Sequence, residues 1–185
     1  MSAAFCTAWI NEVSLALPID WTRDIPAENV DRDVVYFSTS WSSPYSTVTL
    51  TATVASTGET SADICCSRWS IEAENLTASA LANVIDAVTR YGAQPDLPDL
   101  SAAFVGVSLT YYDWLNTDYQ RHPVEMRRWT SPDGYRTFDF LRRDQPGNSI
   151  FIIRRINTGT PEAEAAITAD GATPTAVLLS LAMSD

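Results

Sequence analysis

The residues whose types could do chemistry are few and far apart. His122 is the single histidine. It stands beside Pro123 in a polar stretch, and a Ser–His–Asp arrangement would need a serine and an acid that no motif marks. Cys6, Cys65, Cys66 and His122 would make a four-ligand set by type alone. No C-x2-C or H-x3-H spacing accompanies them, and zinc sites are recognised by such spacing. The three thiols read as buried, apolar-behaving side chains. Adjacent cysteines bridge each other only under strain, so no disulfide framework is expected, which suits a reducing compartment. Asp96/Asp99 and Asp31/Asp33 have the residue types for a pair of catalytic carboxyls. Both pairs sit in or beside proline-bearing loops, where solvated charges are the simpler account. Asn75-Leu76-Thr77 matches the glycosylation pattern, but Thr77 is better explained as a helix cap. With 7 glycines the chain shows no phosphate-cradling loop. No catalytic residue, cofactor or metal is assigned, and the chain is not expected to be an enzyme.

Arginine is the remaining chemistry-bearing type. All twelve basic residues are arginine. Arg127, Arg128, Arg136, Arg142, Arg143, Arg154 and Arg155 fall on successive predicted strands, and beside Trp129 and Tyr135 they could present cations and rings to carboxylates or phosphates. Arg127, Trp129, Tyr135, Arg143 and Arg154 are therefore the candidate binding residues. The structural alternative is that alternation divides the arginines between two faces, where they pair with acids across strands.

Those arginines form a basic island in an acidic chain. Residues 1–120 hold 15 acids and 4 arginines, residues 121–155 hold 4 acids and 8 arginines, and residues 156–185 hold 4 acids and no base. The overall charge of −11 disfavours non-specific binding to nucleic acid, so a basic or apolar protein partner is expected instead. No apolar run approaches the roughly 18 residues needed to cross a bilayer. The opening MSAAFCTAWINE lacks the basic start of a secretory signal, which gives a cytoplasmic expectation. At 185 residues one domain spanning 1–185 is expected.

The elements that must position these residues centre on Val124–Ile156. VEMRRWT and YRTFDFLRR, joined by SPDG, and then IFIIRRI read as three antiparallel strands. A turn with Gly134 at positive φ would set Ser131 opposite Tyr135. Val124, Met126, Phe138 and Phe140 would then share one face, Arg127 would meet Asp139, and Arg128 would stand opposite Phe138. Ala4–Pro18 reads as a hairpin bent at Asn11-Glu12 with Val13, Leu15 and Leu17 alternating; a short helix over Ala3–Ile10 is the other reading. Residues 18–33 read as an exposed acidic connection anchored by Trp21. DVVYFST and Thr47–Val54 are strands, the latter with threonines on its solvated face. Residues 56–63 read as a loop, and ICCSRWSIEA fits either a strand or a helical turn. Leu81, Val84, Ile85 and Val88 predict a helix from Thr77 to Tyr91, ended by a left-handed Gly92 and lying on the meander. Phe104–Leu115 is a further strand, and Thr160-Pro161 and Thr173-Pro174 read as helix starts. The expected fold is α+β, an antiparallel sheet of about seven or eight strands with a central helix and helical material at the C-terminus.

In this order VSLALPIDW, VVYFST, TVTLTATV, a mid-chain helix, HPVEMRRWTSPDGYRTFDFLRR, IFIIRRI and a terminal helix resemble the Mog1/PsbP-like superfamily, in particular its LpqN-like lipoproteins and DcrB-like domains. The resemblance covers most of the chain as a pattern. It implies a Mog1/PsbP-like sandwich and a non-catalytic module for proteins or lipid-like ligands, and it supplies no catalytic residues. The chain departs from secreted members in its opening, without a signal peptide or lipid-anchoring cysteine, and in a longer insert at 56–76. The first functional expectation is a binding module holding a protein partner, as an adaptor, chaperone or immunity-type protein. The second is a structural component of a larger assembly, such as a virion or secretion apparatus. An enzyme of unrecognised type is the third.

Overall fold

Leu81, Val84, Ile85 and Val88 recur at the three- and four-residue intervals that align side chains on one helical face. In the computed structural model all four are buried, on a helix spanning Ala78–Tyr91. The structure describes residues 3–92, 108–114, 124–130, 136–143, 149–155, 165–170 and 172–183. In chain order the elements are α1 (Ala3–Ala16), β1 (Thr22–Arg23), β2 (Ala27–Asp31), β3 (Val34–Ser42), β4 (Thr49–Ala55), β5 (Thr60–Cys65), β6 (Ser70–Glu74), α2 (Ala78–Tyr91), β7 (Ser108–Trp114), β8 (Val124–Thr130), β9 (Arg136–Arg143), β10 (Ser149–Arg155), β11 (Ala165–Asp170) and α3 (Thr175–Met183).

Thr77 caps α2: its side-chain oxygen accepts from the Ala80 N–H at 3.2 Å, an interaction worth about 1 kcal/mol in such positions. Gly92 ends the helix, but in the right-handed region at φ −62°, ψ −20°, not the left-handed conformation expected. Close approach explains the glycine instead. A Cβ there would lie 2.5 Å from the Val88 carbonyl oxygen and 3.2 Å from Trp69 Cζ2. Gly92→Ala should therefore destabilise the fold by about 1–3 kcal/mol through overpacking. The expected readout is a lower urea midpoint at unchanged m-value.

The described strands make one eleven-stranded sheet in the order β1-β3-β4-β5-β6-β11-β10-β9-β8-β7, with β2 also on β3. It is antiparallel throughout, so the α+β expectation holds at that level, with more strands than the seven or eight read from the sequence. Turn chemistry accounts for two of the joints. Gly58 takes φ 103° between β4 and β5, where its N–H donates to the Ala55 carbonyl at 2.9 Å. Arg32 and Asp33, at φ 47° and 70°, form the two-residue turn between Asp31 and Val34, the geometry that matches strand twist.

Register carries one apolar face across the sheet. Trp41, Leu50, Ile64, Ile71 and Ala169 stand in line through successive pairs, and all are buried. The helices cover this face: α2 lies between α1 and α3, α1 reaches β3 and β4, and α3 reaches β9. On the other face Thr51 and Thr53 are half-exposed and Asp63 and Glu72 exposed, as the alternation in β4 predicts. The buried stripe of α2 shares one apolar cluster with residues of β3–β6 and β11 and with Phe138 of the meander strand β9.

Four further expectations are corrected. Ala3–Ala16 is helix, not a hairpin. Trp9, Ile10, Val13 and Leu17 are buried at helical spacing while Leu15 is exposed, and the Trp9 Nε1–H donates to the Leu76 carbonyl at 3.1 Å, fastening α1 to the start of α2. Residues 60–65 form β5, not the end of a loop, and ICCSRWSIEA supplies the end of β5, the turn and most of the second strand of a hairpin. Ala165–Asp170, read as helical, is a strand between β6 and β10. Finally, β8 pairs with β9 one residue away from the expected register. Trp129 stands opposite Phe138, Arg128 opposite Asp139 and Met126 opposite Leu141. The slip sets Arg127 opposite Phe140 and puts an aromatic pair and an arginine–aspartate pair in register. Phe138 is buried, as expected. Gly134 and Tyr135 lie outside the described residues, as do Asp96, Asp99 and His122.

Candidate functional site: a cleft at one end of the sheet

Four of the candidate binding residues from the sequence lie on three neighbouring strands, and the fifth, Tyr135, lies outside the described residues. Arg127 and Trp129 are on β8, Arg143 on β9 and Arg154 on β10. Arg127 and Trp129 stand in register with Phe140 and Phe138, Arg154 with Thr137, and Arg143 with Val124.

A different site is built where three connections meet the end of α2. The chain leaves α1 through a turn in which the Trp21 N–H donates to the Pro18 carbonyl at 3.1 Å. Loop 43–48 joins β3 to β4 and is closed by the Ser43 N–H on the Val48 carbonyl at 3.0 Å. The Cys66 N–H donates to the Trp69 carbonyl at 2.9 Å, closing the turn between β5 and β6. An antiparallel order places these turns at one end of the sheet. Between them and the last turn of α2 lies a cleft of about 660 Å³, lined by Pro18, Asp20, Trp21, Ser43, Tyr45, Ser46, Thr47, Val48, Cys66, Ser67, Trp69, Val88, Thr89 and Gly92.

Its walls are aromatic and its rim is hydroxylic. Trp69 is buried, Trp21 half-buried as the predicted anchor of its segment, and Tyr45 85 % exposed. Among the described residues Asp20 is the one charged residue in the lining. The carbonyl end of α2, which carries a partial negative charge, opens on the same space through Val88, Thr89 and Gly92. Ile19 and Ile25 are fully or nearly fully exposed, and Val30, which pairs with Val35 at the far end of β3, is 60 % exposed on β2, all five residues of which are exposed. Glu28 and Asp31 alternate with them.

The thiols differ from their expected burial. Cys65 is exposed and Cys66 half-buried; the side chain of Cys6 is not among the described ones. Burial, and secondarily the neighbouring Cys65, pushes the Cys66 thiol up to about 11 from 9.0. At pH 8 only about one part in a thousand is thiolate. In Cys65→Ser protein, iodoacetamide should modify Cys66 on the order of a hundredfold more slowly in the folded chain than in urea, followed by peptide mass spectrometry. Because the folded chain holds this proton more tightly, the associated stability is complete below pH 9 and is lost as pH rises through about 11.

Among the described residues no group of three or more His, Cys, Asp or Glu could hold a metal ion, and no helix is long and apolar enough to cross a membrane. No family model, no curated protein and no solved structure matches the chain.

The sequence missed this cleft because its walls come from residues 18–21, 43–48, 66–69 and 88–92, none of which forms a motif. The available signal was the occurrence of tryptophan or tyrosine in three polar, turn-forming stretches. A large ring in a loop needs either a packed anchor or an exposed role.

Proposed function

We propose that the protein is a non-catalytic binding module that holds a protein partner, as an adaptor, chaperone or immunity-type protein does. The cleft and the β1–β2 edge beside it form the docking surface. The observation that carries this reading is the exposure of Tyr45, which lines one aromatic cleft, and of Ile19, between the lining residues Pro18 and Asp20, with Ile25 and Val30 exposed farther along the β1–β2 edge. Isolated exposed apolar residues are ordinary, but exposed apolar side chains at a cleft with a polar rim mark an interaction surface. The acids interspersed there, Asp20, Asp24, Glu28, Asp31 and Asp33, favour a partner with basic residues and speed its encounter. The sequence resemblance to Mog1/PsbP-like modules is compatible with this reading.

The test is comparative capture from the native host with the full chain. Ile19→Ser/Tyr45→Ser should keep the melting temperature within a few degrees, since both side chains are exposed and such changes cost about 0.5 kcal/mol or less. A partner recovered in stoichiometric amount by the unaltered chain should fall by about tenfold or more with the double variant, given the weight that aromatic anchors carry in interfaces. Equal recovery by both chains would overturn the reading.

A further inference from the structure

We infer that the cleft receives the guanidinium of an arginine side chain presented by the partner. This rests on the docking role proposed for the cleft and names the chemistry it selects. Three features favour a cation. Trp21, Tyr45 and Trp69 contribute three aromatic side chains to the lining, and the quadrupole of an aromatic ring attracts positive charge at its face. Among the described residues Asp20 is the one charged residue in the lining, and it is a carboxylate. The carbonyl end of the 14-residue α2 adds a partial negative charge at the floor.

None of the three suffices alone. Asp20 is exposed, and an exposed ion pair contributes little by itself. Rings and carboxylate together suit a guanidinium better than an ammonium, because the planar, weakly hydrated guanidinium stacks on indole while its edge pairs with a carboxylate. The chain makes such a contact internally: Arg23 Cζ lies 5.6 Å from the centroid of the Trp41 ring. Hydroxyls of Ser43, Ser46 and Ser67 at the rim can accept remaining N–H groups. Arg68, exposed between Ser67 and Trp69, does not line the cleft.

The experiment titrates the full chain, labelled with nitrogen-15, with N-acetyl-arginine amide and with its neutral isostere N-acetyl-citrulline amide. The indole N–H signals of Trp21 and Trp69, assigned by Trp→Phe substitution, should move saturably with the arginine compound. A dissociation constant on the order of millimolar is reasonable for a single side chain. The citrulline compound should bind at least about tenfold more weakly, and Asp20→Asn, an exposed change that spares the fold, should weaken the arginine compound by about threefold or more. Arg68→Ala should leave its affinity within about twofold. Equal affinity for the two compounds, or no movement of either indole, would overturn the inference. If the indoles stay fixed while Ile19→Ser/Tyr45→Ser still abolishes partner recovery, docking stands and the guanidinium assignment falls. Equal partner recovery would remove the docking role itself.

Discussion

Leu81→Asp is expected to leave no cooperatively folded protein. Leu81 has no exposed surface and lies in the main apolar cluster, at the centre of the α2 stripe that meets the sheet. Truncating such a side chain costs about 2–5 kcal/mol. Placing a carboxylate there without a partner adds several more, or forces its protonation. Set against a total stability of about 5–15 kcal/mol, the sum removes most or all of it. Near-ultraviolet circular dichroism and urea unfolding are the measurements. A soluble variant that melts near the parent temperature would show that α2 does not face the core.

Ile167→Pro should be nearly as severe, for a different reason. Ile167 is 3 % exposed and lies mid-strand in β11, paired with Ala73 of β6 on one side and Ile153 of β10 on the other. Proline removes a ladder hydrogen bond whichever neighbour the N–H serves, and it is excluded from interior strands. The loss of the bond and of the isoleucine packing should together cost about 3 kcal/mol or more. Because β11 is the strand through which β6 and β10 are joined, hydrogen exchange should rise along both ladders. A variant with parental exchange in β6 and β10 would contradict the sheet order.

That strand also shows where the sequence stops being legible. AAITAD is rich in alanine, a strong helix former, yet its position between two strands overrides local propensity. The opposite happened at α1. In AFCTAWINEVSLALP apolar residues occupy so many positions that period two and period 3.6 both find support, and packing of Trp9, Ile10 and Val13 decides the matter. By contrast α2 and β4 were readable because each separates its apolar and polar residues cleanly, at 81, 84, 85 and 88 and at 50, 52 and 54. The strands of the meander were readable for the same reason. Their register was not, because alternation on β8 places an arginine on either face whichever way it is set, and the pairing with β10 and β11 fixes Phe138 inward. The cleft depends on three turns converging, which is a property of strand order that no single stretch contains.

Hydrogen–deuterium exchange on the chain alone and on its co-purified complex is the most direct measurement of the docking surface. The expected result is new protection concentrated in residues 18–31, 43–48 and 66–69, the segments of the cleft and the β1–β2 edge. Protection confined to residues 124–130, 136–143 and 149–155, with the cleft segments unchanged, would contradict this account and return the site to the arginine-bearing strands.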